Sequence, residues 1–205
     1  MKKLLFAGAA LLSATPALAH HPMGGETPST LAQGLLSGIG HPVLGLDHLA
    51  FVLAVGIAAA LAGSRYLLPL AFVVMTVLGT LVHLAAIDLV AVEWLIAASV
   101  AIVGLMIASG RSFGLAAFGA AFAVAGLFHG FAYGEAVFGA ETTPVLAYLT
   151  GFAATQYAIA VAAGTAIVGG LGSAVKVVPA RIAGGMVAGA GLLIFGEKLI
   201  ETAFA

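Results

Sequence analysis

Six stretches of about 20 predominantly apolar residues, each long enough to cross a hydrocarbon core, dictate what this chain can fold into. They lie near residues 42–62, 67–87, 91–108, 113–133, 145–168 and 181–201, separated by short breaks that hold Gly, Pro, Ser or charge. Of the 205 residues, 62% are apolar and 7% charged, whereas a soluble domain carries about a quarter charged residues. The pattern predicts an all-α polytopic membrane protein whose main solvent is lipid. No basic cluster and no GxxxxGK[ST] loop occurs, which argues against nucleic-acid and nucleotide partners. With no cysteine in the chain, metal chemistry must use imidazole, carboxylate, thioether, backbone or water, and no resident cofactor is implied.

The amino terminus reads as a cleavable signal peptide. Lys2 and Lys3 form the basic region, residues 4–12 the apolar region, and Ala17-Leu18-Ala19 the small-x-small cleavage site. The expected organisation is leader 1–19, an external histidine-containing segment 20–41, and a six-helix membrane domain 42–205. Within the external segment, residues 30–39 are apolar but too short to span, and are expected to lie at the interface or re-enter the membrane. Export of the mature amino terminus sets the direction of every span and places both ends outside. The breaks after spans 1, 3 and 5 then face the cytoplasm and hold Arg65, Arg111, Lys176 and Arg181; the opposite breaks hold or adjoin Asp88, Glu93, Glu135 and Glu141. That asymmetry is what the positive-inside rule requires of a protein in the cytoplasmic membrane. Gly126-x3-Gly130-x3-Gly134 and Gly185-x3-Gly189 are spacings that permit close helix packing, compatible with a monomer or a homo-oligomer.

All the histidines fall toward the outer side: His20 and His21 in the external segment, His41 and His48 at the start of span 1, His83 near the end of span 2, His129 near the end of span 4. Ionisable groups at membrane depth are costly and face a bundle interior or a cavity, so an outward-opening polar vestibule is expected. The densest motif is HPVLGLDH, residues 41–48. Pro42 suits a first helical position, and Asp47 gains there from the helix dipole. His41 and His48 share a helical face but stand about 10 Å apart along a straight axis, so they meet one ion only if the segment bends. In FHGFAYGEAV, residues 128–137, His129 and Tyr133 share a face and Gly134 marks the expected unwinding before Glu135. His41/Asp47 and His129/Glu135 have the same His-x5-acid spacing, a hint of two inverted halves of three spans each. Gln156, mid-span, can offer an amide oxygen to an ion or pair with a neighbouring helix.

HPVLGLDH and the Phe128-His129-Gly130 to Gly134-Glu135 pattern resemble the HupE/UreJ family, membrane proteins associated with hydrogenase and urease accessory functions. The resemblance covers essentially the whole mature chain. It implies a secondary permease for nickel or cobalt, with His41, Asp47, His48, His129 and Glu135 contacting the metal. Tyr133 stands where many relatives have a second histidine, leaving one fewer nitrogen. Independently, imidazole-rich sites suit Ni, Co, Zn, Cu and Fe rather than Mg or Ca. The expected metal set is completed by His83 inside the membrane and by His20 and His21 as an external capture point. Two other readings of these residues are an intramembrane zinc-dependent hydrolase and a metal-binding accessory protein that never translocates.

Overall fold

The structure, a computed structural model, describes residues 26–169 and 177–204; the expected leader, His20 and His21 lie outside them. Every regular element in the described residues is helical. In chain order they are α1 (Leu31–Leu44), α2 (Leu46–Leu61), α3 (Leu67–Leu84), α4 (Val92–Ala108), α5 (Leu115–Gly134) with a 3-10 turn Glu135–Val137, α6 (Thr142–Gly169) and α7 (Val177–Phe204). Helices α3, α6, α7 and α5 with its 3-10 extension are long and apolar enough to cross a membrane; α1 and α2, bent by 78° at their junction, are together apolar enough to form a broken span or a re-entrant loop. Helix α4 is an apolar helix of 17 residues, below the length that marks the other spans.

The start of the bundle differs from the expectation. Residues 31–39 open α1, one arm of the bent pair, which has the form of a broken span or a re-entrant loop; its first turn is capped by the Thr30 side chain accepting from Gln33 N–H at 3.2 Å. Pro42 is not a first helical residue but sits in the last turn of α1. Its missing N–H removes the bond that would go to the Gly38 carbonyl, and the helix ends two residues later. Gly45 then serves both helices, in extended conformation at φ −78°, ψ 110°. Its N–H reaches the His41 carbonyl at 3.3 Å and its carbonyl accepts from Leu49 N–H at 2.8 Å. Asp47 and His48 consequently fall in the first turn of α2, close to the positive end of its dipole.

Three helix pairings hold the bundle: α3 beside α5, α4 beside α7, and α6 beside both α1 and α2. With the α1–α2 pair taken as one unit, exchanging α1–α2, α3 and α4 with α5, α6 and α7 respectively maps these pairings onto one another. The expected Gly126-x3-Gly130-x3-Gly134 stripe does face α3. A Cβ at Gly130 would fall on the Thr76 carbonyl oxygen, so the two backbones meet with no side chain between them. Gly185 and Gly189 instead have open space around their Cα atoms, and the contact with α4 uses Gly184 and Gly191. Seven residues is two helical turns and returns nearly to the same face, so that pair meets α4 while Gly185-x3-Gly189 turns outward.

The two ends of the bundle differ in charge. Leu61, Gly110, Arg111, Phe113 and Arg181 line one cavity, which brings the α2, α4 and α7 termini together, and Arg181 Nε donates to the Ala108 carbonyl at the end of α4. At the opposite end Lys198 pairs with Glu93 of α4 and with Glu201.

Two glycine substitutions separate packing from site geometry. A side chain at Gly130 forces α3 and α5 apart, so Gly130→Leu is expected to lose the folded monodisperse protein in detergent, as read by size-exclusion chromatography. At Gly45 an added Cβ would lie 2.7 Å from His48 Cδ2. Gly45→Ala is therefore expected to keep the fold, with an unchanged size-exclusion profile, and to move the His48 ring, read as a shift of its side-chain NMR resonances.

Candidate functional site

The break at Gly45 turns the end of α1 back toward the start of α2, and the His41 and His48 ring centroids come within 5.6 Å. His129, on the last turns of α5, completes the cluster: His48 Nδ1 and His129 Nδ1 are 3.2 Å apart. The three imidazoles are 3%, 3% and 0% exposed respectively, so they point into the bundle and not into lipid. They do not line an open vestibule. Phe51 stacks on the His129 ring at 4.4 Å and 27°, and Tyr133 lies 4.8 Å from His41 and 4.4 Å from His48 between ring centroids. Aromatic rings, including Phe152 against Tyr133, close the space that the charge pattern alone suggests is wet.

Two of the buried imidazoles, His129 and His41, are each held by a hydroxyl from a neighbouring helix. His129 Nε2 meets Ser99 Oγ of α4 at 3.1 Å, and His41 Nδ1 meets Tyr148 Oη of α6 at 2.9 Å. Asp47 Oδ2 lies 4.0 Å from His48 Nδ1, too far for a hydrogen bond but near enough for its charge to favour a cation in the cluster. Beside His129 the main-chain carbonyl of Gly130 accepts from Thr80 Oγ1 at 2.8 Å, tying α3 to α5 at the depth of the site. Gln156 takes the pairing role: its Nε2 donates to Thr76 Oγ1 at 3.3 Å, while its Oε1 is buried without a hydrogen-bond partner among the described residues.

The His48–His129 contact is an N–H···N hydrogen bond, one Nδ1 donating and the other accepting, and its length can also be set beside that of two nitrogens on one ion. Nitrogens each about 2.1 Å from one ion lie about 3.0 Å apart at a right angle and about 3.4 Å apart at the tetrahedral angle. The observed 3.2 Å falls between the two. Among the described residues no three His, Asp or Glu side chains converge tightly enough to form a complete ligand set.

The other sequence-derived candidates lie elsewhere. His83 packs against Gly134, Phe131 and Phe138, with its Nδ1 buried and without a hydrogen-bond partner among the described residues. Helix α5 stops at Gly134 as expected, and Glu135 opens the 3-10 turn with its side chain exposed. Ser99, Tyr148 and Phe51 are structurally close to the cluster and absent from the sequence-derived set. Hydroxyls in apolar spans were the available signal for the first two, and nothing in an aromatic residue distinguishes Phe51 from other core phenylalanines.

Residues 8–194 match the family described as HupE / UreJ protein. The chain is 33% identical over 189 residues to Protein HupE of Rhizobium leguminosarum bv. viciae, covering 88% of this chain and 93% of that protein. No solved structure gives a significant match. The motif-bearing helices, the imidazole cluster they build and the match across most of the length lead to one conclusion: the chain belongs to the HupE/UreJ family.

Proposed function

We propose that this protein is a secondary permease that carries nickel or cobalt inward across the cytoplasmic membrane. The observation that carries the reading is the His48–His129 pair, two imidazole nitrogens at 3.2 Å in the interior of a helical bundle. Imidazole is a ligand of first-row transition ions, and the Asp47 carboxylate nearby adds the negative charge that a dipositive ion needs in a low-dielectric interior. Two protein nitrogens hold an ion firmly enough to select it and leave waters that can be exchanged for the next contacts, as conduction requires. In this reading the aromatic lid makes the structure an occluded state, and ions pass when Tyr133 and its neighbours move aside.

The chain is read as six spans after a cleaved leader, with α1–α2 as the first and α4 as the third. Family membership and the segregation of Arg111 and Arg181 to the end opposite Glu93 support that topology. With the histidine end outside, an inside-negative potential drives uptake: a dipositive ion gains about 4.6 kcal/mol per 100 mV, twice the single-charge figure. No nucleotide is required. His20 and His21 are proposed to capture the ion before it reaches His41 and His48, while His83 and Glu135 are proposed as contacts on the outer approach.

Radiometal uptake into proteoliposomes holding an inside-negative potential tests the reading. Nickel or cobalt is expected to accumulate above the level of binding, and His129→Ala, or Asp47→Ala combined with His48→Ala, is expected to lower the initial rate at least tenfold in protein that remains folded. Unchanged uptake in those variants, or binding without accumulation by the unmodified protein, would contradict it. Tyr133→His supplies a further nitrogen beside the pair; tighter nickel binding with slower turnover is expected, and an unaltered affinity would show that this ring does not border the ion.

A further inference from the structure

Three hydroxyls around the cluster share one feature. Each has a single proton, and each gives it to a main-chain carbonyl: Ser99 Oγ to Ile96 O at 2.7 Å, Tyr148 Oη to Tyr133 O at 2.9 Å, and Thr76 Oγ1 to Val73 O at 2.8 Å. A hydroxyl whose proton is committed can only accept from its remaining partner. For Ser99 that partner is His129 Nε2 at 3.1 Å, for Tyr148 it is His41 Nδ1 at 2.9 Å, and for Thr76 it is Gln156 Nε2 at 3.3 Å. The nitrogen must therefore be the donor in all three.

In a neutral imidazole one nitrogen carries the proton and the other a lone pair. Donation from Nε2 leaves the lone pair of His129 on Nδ1, so His48 Nδ1, 3.2 Å away, carries the proton of the bond between them and must release it before both nitrogens can meet one ion. Donation from Nδ1 leaves the lone pair of His41 on Nε2. The same constraint rules out the flipped amide of Gln156 and makes its buried Oε1 an acceptor.

We propose that Ser99 and Tyr148 are positioning residues that lock His129 and His41 in opposite tautomers, so that the lone pair of His129 lies on Nδ1, on the side shared with His48 where a divalent transition-metal cation would be met, and that of His41 lies on Nε2. Neither residue touches the ion. Each works through the imidazole it fixes, as outer partners of metal-bound histidines commonly do, at a cost of about 10- to 100-fold in affinity when removed. A histidine in the other tautomer would turn an N–H toward the cation and would have to lose its hydroxyl partner before binding. The role of the two hydroxyls in metal binding rests on the transport reading above, whereas the tautomers themselves do not.

The test is 15N NMR of histidine-labelled full-length protein in nanodiscs without metal, with resonances assigned by their loss in His41→Gln and His129→Gln. Protonated Nε2 in His129 and protonated Nδ1 in His41 are expected. Ser99→Ala should mix the tautomers of His129 alone, Tyr148→Phe those of His41 alone, and Ser99→Thr should restore His129. Nickel affinity by calorimetry should fall about 10-fold or more in Ser99→Ala and Tyr148→Phe and recover in Ser99→Thr. A protonated Nδ1 in His129 of the unmodified protein, a Ser99→Ala spectrum identical to it, or an affinity that falls equally in Ser99→Ala and Ser99→Thr overturns the inference. The outcomes remain separable from the function: unmodified protein with the expected tautomers that neither binds nor carries nickel or cobalt would refute the permease reading and leave the tautomer assignment intact.

Discussion

The break in the backbone at Gly45 is the constraint on which the site depends. A continuous helix through HPVLGLDH would separate His41 from His48 by about two turns, roughly 10 Å. The 78° bend between α1 and α2 brings the two rings to 5.6 Å instead and sets Asp47 and His48 at the positive end of a new helix. Pro42 removes a backbone donor just before the break, and Gly45 leaves the volume that the His48 ring fills. Non-helical backbone inside a membrane is tolerated where it is buried in protein or lines a cavity. Here Gly45 is buried and both of its hydrogen-bonding groups are engaged.

The rest of the bundle supports that bent helix pair. Helix α6 packs along both of its halves, and Tyr148 on α6 links His41 to the Tyr133 carbonyl of α5. Helix α4 contributes Ser99, and Phe51 of α2 fixes the plane of the His129 ring by stacking. Residues of four helices thus bear on the orientation of His41 and His129. Leaving a polar atom buried and unmatched costs about 1–3 kcal/mol, which makes the partner choice of each hydroxyl energetically consequential.

Much of this was legible in the sequence, because the apolar lengths and the position of histidines in spans follow directly from the cost of polarity in lipid. The need for a bend followed from the seven-residue separation of His41 and His48. Its location did not, because Pro42 is compatible with either the first or the last turn of a helix, and only the packing of α1 against α6 decides between them. The exposure of Glu135 was equally hidden: the spacing from His129 is the same whether the chain after Gly134 turns inward or outward. Ser99 and Tyr148 lie 30 residues before and 107 residues after the histidines they hold. No local pattern connects residues so far apart, whereas Gln156 could be singled out because an amide in mid-span needs a partner.

The central claim is that His48 and His129 direct their facing nitrogens at one ion. X-ray absorption at the metal edge of nickel-loaded protein, compared with His129→Ala, measures this most directly. The account predicts imidazole scattering from at least two rings with nitrogen at about 2.1 Å, one ring fewer in the variant, and oxygen from water completing the shell. An all-oxygen shell, or an imidazole count that His129→Ala does not change, would contradict it.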